Sequence, residues 1–340
     1  MVQTAPVAGF ATARPTMQAG LLVLVGLVGL VPLAASDAWA QGFPTRPVRI
    51  IDAFPAGGAG DVIARILSPR LGEALGQTVI VENRPGAGGN IGAEVAAKAP
   101  ADGHTMFMGV SVVLAPSRSL YANLPYDALR DFMPVSRVGT GAYLLASHPS
   151  LPVKSVKDVV ALARAKPGAL NYASGGIGSG QHLAGELFRS RTGIVLTHVA
   201  YKGGPPAVAA VAAGESEIGF VTVTAGLGQV NAGRLRALGV SSPQRLPTMP
   251  NVPTIAESGY PGFEVTPIFG LYVPTGTPKE IIATLNAAVR KTVDNAEVRD
   301  RLAAQAVVAG SSTPEELGRS LAEEIAQWAK VIKAAGIKIE

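Results

Sequence analysis

Along this chain, short apolar runs alternate with longer stretches whose apolar residues recur every three or four positions. Val48–Phe54 (VRIIDAF) reads as a buried strand. From Asp61 to Leu75 the apolar residues Val62, Ile63, Ile66, Leu67, Leu71, Ala74 and Leu75 follow a helical period. Pro69 inside that stretch predicts a kink or an early stop. Thr78–Glu82 (TVIVE) is the next strand, and the glycine-rich segment Asn83–Gly92 leads into a helix, Ala93–Ala99. Thr105–Val110 (TMFMGV) is a third strand. Strands and helices alternating across short loops predict a parallel sheet with helices on both faces.

The pattern then restarts. Ala142–Ser147 reads as a strand, and Ser155–Lys166 as a helix opened by Ser155 and Asp158 and stopped at Pro167-Gly168. Leu170–Ser174, Leu196–Ala200, Ile218–Thr222 and Leu235–Val240 read as strands, with helices Gln181–Arg191 and Pro205–Ala213 between them. Thr277 and Thr313 each precede Pro at the first helical position and Glu at the third, so both predict helix caps. The last helix carries one stripe, Leu317, Leu321, Ile325, Trp328 and Ile332, that must pack on something. No sequence repeat links the two α/β units.

Composition narrows the class. With 340 residues, 48% of them hydrophobic and 16% charged, the chain supports a sizeable core and two domains. The net charge of +5 is spread out, without the basic cluster that tracks a phosphate backbone. Nucleic acid is therefore not an expected partner, and small anions are favoured. The absence of cysteine excludes disulfides, thiolate zinc sites, cysteine nucleophiles and a lipoprotein anchor. Near the N-terminus, Arg14 precedes an apolar run, Gly20–Ala35, which ends before Ala38-Trp39-Ala40. Residues 1–40 are expected to be a cleaved secretory signal and the mature protein soluble and periplasmic. A membrane anchor is the alternative, but the run contains Pro32 and falls short of the roughly 20 residues a spanning helix needs.

Two glycine loops sit between a strand and a helix: AFPAGGAGD (Ala53–Asp61) and SGGIGSGQH (Ser174–His182). Such a junction offers unpaired backbone N–H groups at the positive end of a helix, a ready anion site. Each alone reads as a tight turn; two, one per unit, predict jaws across a cleft. Asp61 either steadies its helix N-terminus or accepts a hydrogen bond from a ligand. His182 either makes a helix-terminal hydrogen bond or touches the ligand. Tyr201–Ala207 (YKGGPPA) brings together a phenol, a cation and free amides; Lys202 is either a surface lysine or a ligand contact. Nucleotide chemistry fits poorly: no Gly-Lys pair exists for a phosphate-binding loop, and Ile91 stands where the third glycine of GxGxxG belongs. Neither GxSxG nor HExxH occurs, and His104, His148, His182 and His198 are not at metal-ligating spacing. No catalytic residue, cofactor or metal is expected.

The ordered blocks FPAGGAGDVIAR, VIVENRPGAGGNIGAE, DGHTMFMG, LPYDALRDF, LNYASGGIGSGQHLAGELF, VAYKGGPPAV, GRLRALGVSS, VPTIAESGYPGFEV and GTPKEIIATLN resemble the Bug family, the solute receptors of tripartite tricarboxylate transporters. The likeness runs from about Phe43 to Lys338. It implies a two-lobed type II periplasmic binding fold, α/β in class, that closes on its ligand like a flytrap. Lobe one is expected over 43–139 plus 267–340 and lobe two over 140–266. It implies a monomeric receptor for a small carboxylate (a dicarboxylate, a tricarboxylate, an acidic amino acid or an aromatic acid) that delivers to membrane permease subunits. It further implies that loop amides at Phe54, Ala56, Gly57, Gly58, Ser174, Gly175, Gly176 and Ile177 grip a carboxylate, and that Asp61, Ser179 and His182 line the cleft. Ser111, Tyr201 and Thr222 complete the expected ligand set. Gly60 stands where a hydroxyl residue is common, Thr222 where an acidic one often follows the strand, and Val112–Ser117 lacks a usual polar residue. These departures favour a less polar carboxylate over citrate. Two rival readings are a sensor module docking on a kinase ectodomain and a periplasmic hydrolase or isomerase of small acids; the latter needs an activated nucleophile that no motif supplies.

Overall fold

A computed structural model describes residues 42–337; the expected signal, residues 1–40, lies outside the described residues. The chain runs β1 (Val48–Asp52), α1 (Ala59–Leu75), β2 (Val79–Asn83), α2 (Asn90–Ala97), β3 (Thr105–Val110), α3 (Ser111–Leu120) and β4 (Phe132–Thr140). It continues through β5 (Tyr143–Ser147), α4 (Val156–Ala165), β6 (Asn171–Ser174), α5 (Gly180–Thr192), β7 (Thr197–Ala200), α6 (Gly204–Ala213), β8 (Ile218–Thr222), α7 (Val223–Asn231) and β9 (Arg236–Val240). It closes with β10 (Ile268–Pro274), α8 (Lys279–Val293), α9 (Ala296–Ala304), β11 (Val308–Ala309) and α10 (Pro314–Ala335).

Two sheets result, ordered β2-β1-β3-β10-β4-β11 and β7-β6-β8-β5-β9. The shared part of the order is the same in both: second strand, first, third, a crossing strand, then a further one. The sheets are mixed, which corrects the expectation of parallel ones: β10 runs against β3 and β4, and β5 against β8 and β9. The reason is geometric. The chain leaves the first sheet after Thr140, enters the second at Tyr143, and returns between Val240 and Ile268. Each incoming strand starts beside the carboxyl ends of the parallel strands, Tyr143 opposite Thr222 and Phe269 opposite Val110, so it must run the other way.

Helix α1 does not stop at Pro69; it continues to Leu75, where Gly76 caps it. Interior proline costs about 3 kcal/mol. Burying Ile63, Leu67 and Leu71, each at most 1% exposed, outweighs that at roughly 1.5–3 kcal/mol apiece. Ser155 caps α4 by accepting from the Asp158 amide, and Thr313 forms a full capping box with Glu316. Thr277, by contrast, does not cap α8. Its buried hydroxyl donates to the Pro274 carbonyl, and Pro278 takes the cap position. The α10 stripe packs on α3 and β4, with Leu317, Leu321, Trp328 and Ile332 buried. Among the described residues no helix is long and apolar enough to cross a membrane.

Candidate functional site

The carboxyl ends of β1, β2 and β3 meet those of β6, β7 and β8, and six strand-to-helix junctions converge there. Two of them close with the same turn. In the loop after β1, the Gly58 amide donates to the Pro55 carbonyl (3.1 Å); after β6, the Ser179 amide donates to Gly176 (3.1 Å). The third residue of each turn is a left-handed glycine, Gly57 (φ +79°) and Gly178 (φ +77°), as a type II turn demands. Each of these glycines then gives its own amide to a side chain in the first turn of the following helix: Gly57 to Asp61 Oδ2 (2.9 Å) and Gly178 to His182 Nδ1 (3.2 Å).

The expected grip is in part already engaged within the loops, while the amides of Ala56, Gly175 and Ile177 find no acceptor among the described residues. The amides of Gly57, Gly58, Gly176, Gly178 and Ser179 are already occupied, Gly176 by Ser174 Oγ at 3.2 Å. The amides of Ala59 and Gly60 on one side and of Gly180 and Gln181 on the other find no acceptor among the described residues. These four residues line an inner cavity of about 40 Å³, room for about three water-sized groups and so the scale of one carboxylate. Its walls add Tyr143, Thr222 and Gln181 as polar groups and Phe54, Val110, Val113 and Phe269 as apolar ones. An outer cavity of about 590 Å³ lies between Pro85–Gly89, Tyr121, Gly175–Ile177 and Ala200–Gly203. Phe54 borders both.

Of the residues expected at the site, Phe54, Gly58, Ser179 and Thr222 line the inner cavity. Gly175, Gly176, Ile177, Tyr201 and Lys202 line the outer one. The others line neither. Ala56 and Gly57 are exposed at the turn. Asp61 and His182 are turned back onto their loops, Ser174 supports its loop from below, and the buried Ser111 hydroxyl accepts from the Ile268 amide at 3.0 Å. Sequence reasoning missed Gln181, Tyr143 and Phe269. Gln181 had a signal: at the second helical position its amide is unpaired, whereas His182, one residue on, is reached by the loop.

Beneath the first loop, Asp61 accepts from Arg65 Nε at 2.9 Å. Burial works to raise the Asp61 carboxyl, but hydrogen bonds from Arg65 and Gly57 outweigh it and hold the group below its usual range. Asp52, at the end of β1 and fully buried, is pushed up to about 8 by burial and by the neighbouring Asp61 charge. Asn83 donates to its Oδ2 at 3.3 Å, while Oδ1 has no partner. This carboxyl fills the space a side chain at Gly60 would occupy, which accounts for glycine there. The jaws also touch. Tyr121 donates to the Ile177 carbonyl (3.3 Å), and a Cβ on Gly203 would lie 2.6 Å from Pro55.

A family model described as the tripartite tricarboxylate transporter family receptor matches residues 63–337. Protein BugT of Bordetella pertussis is 37% identical over 321 residues, covering 94% of this chain and 98% of that protein. The solved structure of Rpa4515 of R. palustris with adipate has a TM-score of 0.84 and 38% identity, covering 87% of this chain and 99% of its own. MatC from Rhodopseudomonas palustris with bound malate has a TM-score of 0.82 and 31% identity, covering 85% and 100%. With its two mixed sheets and paired glycine loops, the chain belongs to the tripartite tricarboxylate transporter family of receptors, and its two-lobed α/β fold is that of periplasmic binding proteins.

Proposed function

We propose that this chain is a periplasmic receptor that binds a small carboxylate between its lobes and delivers it to the permease subunits of a tripartite tricarboxylate-type transporter. One observation carries the reading: two opposed pairs of unpaired amides, Ala59 and Gly60 facing Gly180 and Gln181, line one small cavity. Helix N-termini favour negative charge, and closure around the ligand removes water and strengthens each contact. One carboxylate sits in the inner cavity, and the rest of the ligand passes Phe54 towards the outer one. The apolar walls Val110, Val113 and Phe269 favour an aliphatic dicarboxylate such as adipate over citrate. Binding relatives that hold adipate and malate support the same class. No turnover is part of this reading.

Isothermal titration of the purified chain with adipate, malate and citrate tests it. Adipate is expected to bind tightest; binding of citrate alone rejects the preference, and binding of no small carboxylate rejects the reading. Delivery is tested by uptake of the bound acid into vesicles carrying the permease, which should require added receptor.

A further inference from the structure

The loop after β6 rests on a stack of three rings, His182 and Tyr172 buried and His198 half-buried, that lines neither cavity. The His182 and His198 rings are stacked 4.4 Å apart, and His198 is stacked in turn on Tyr172 at 4.7 Å. His182 Nδ1 accepts from the Gly178 amide, and His198 Nε2 lies 2.7 Å from Ser174 Oγ, which accepts from the Gly176 amide. Two of the loop's amides are thus fixed from below, one by each histidine, directly or through a serine.

An N–H donor facing Nδ1 requires a lone pair there. The neutral ring then carries its proton on Nε2, 3.9 Å from the Glu186 carboxylate, too far for a hydrogen bond. Protonating the ring would set two donors against each other at Gly178.

We propose that His182 is a positioning residue for the carboxylate-binding loop of lobe two: as a neutral acceptor, supported by His198 and Ser174, it holds the turn that aims Gly180 and Gln181, and the loop is released when the ring gains a proton. This rests on the receptor reading above.

The surroundings favour the neutral state. From α5, Glu186 and Arg189 face the pair; Glu186 is engaged by Tyr172 Oη (2.5 Å) and Arg189 (2.8 Å). From β6 come Tyr172 and Ser174, and from β7 His198 itself. Elements α3, α10 and β8, also packed on α5, bring no charge that shifts either ring. Burial lowers both histidines, opposed by Glu186; His198 falls to about 4, helped down by His182.

The test uses the full chain with adipate as probe. Long-range proton–nitrogen NMR should show His182 as the neutral Nε2–H tautomer at pH 7; a charged ring or an Nδ1–H tautomer overturns the proposal. His182→Leu should weaken adipate binding roughly five- to tenfold. His182→Asn keeps an acceptor near the Nδ1 position, so its affinity at pH 7 should stay within about threefold of wild type. Below pH 6, wild type should lose affinity faster than His182→Asn, adipate's own protonation being common to both. Equal pH profiles, or wild-type affinity in His182→Leu, overturn the proposal. Thermal melts separate lost binding from lost folding; should His182→Leu not fold, the Asn profile and the tautomer decide. Absence of adipate binding at every pH defeats the ligand assignment, and the tautomer still decides the role of His182.

Discussion

The loop after β1 and the loop after β6 make the same turn at the same place in their sheets, yet opposite chemistry holds each from beneath. In the first, a carboxylate, Asp61, takes the glycine amide and is itself held by Arg65. In the second, an imidazole does so, backed by a second ring. Each strand-end residue is also held by a side chain of the neighbouring strand: Asn83, directly opposite in β2, supports Asp52, and His198, two residues back along β7 from Ser174's ladder partner Ala200, supports Ser174. A backbone turn is thus indifferent to what fixes it, but its response to pH is not. Asp61 is depressed, so its contribution is present above the ordinary carboxylate range and is lost only as pH falls through its still lower folded value. His198 is also depressed, but from 6.5 to about 4, so the stability tied to its neutral form is lost as pH falls across that window. Mild acid should loosen lobe two first.

The two loops also differ in what an added methyl group beside them would meet, and this gives the largest expected effect. A Cβ on Gly92 would lie 2.7 Å from Ala53 Cα and 2.8 Å from the Arg84 carbonyl, both main-chain atoms at the base of the first loop. Gly92→Ala should cost about 1–3 kcal/mol in urea unfolding and weaken adipate binding. Gly175→Ala meets first the tip of the Gln181 carboxamide, which can swing. Its cost should stay below about 1 kcal/mol, and equal costs would remove the contrast.

Next comes Asp52, whose raised pKa has the opposite sign of linkage. The folded chain keeps a proton that the unfolded chain releases, so the penalty is absent below about pH 4 and grows until about pH 8. Asp52→Asn should raise Tm by a few degrees at pH 8 and leave it unchanged near pH 4. A uniform shift would mean that burial of the charge is not the cause. On the acid side, His198→Gln should flatten the fall of Tm between about pH 6.5 and 4, while Asp61→Asn should not. The smallest effect belongs to the contact between the jaws. Tyr121→Phe removes one 3.3 Å hydrogen bond to Ile177 and should speed adipate release about two- to threefold in stopped flow, with Tm unchanged.

Period and punctuation made β1 to β3 and β5 to β9 legible, because these strands are short and apolar. Of the two crossing strands, β10 was not read from the sequence, and β5 was read without its direction. β10 and β5 acquire their direction from where the chain re-enters a sheet, a tertiary fact with no local pattern. Helix α3 begins directly at the end of β3 and contains Pro116, so its onset carries no loop signal. At the candidate site, the glycine loops were legible, but which amides their turns occupy was not. The turns occupy the amides of Gly57, Gly58, Gly176 and Gly178, and the first two residues of each following helix keep theirs unpaired. Nor could sequence alone place Asp52 behind Gly60, since that contact joins a strand to a helix start across a loop.

Among point mutations only a change to proline deletes an amide hydrogen. Every other point change at Ala59, Gly60, Gly180 or Gln181 replaces a side chain and leaves the donor in place unless the helix start itself moves. The walls at Phe54, Val113 and Phe269 have no such protection. If the proposed reading holds, substitutions at these walls alter what surrounds the acid group and leave the donors that hold it, so cargo is open to change while the handle stays.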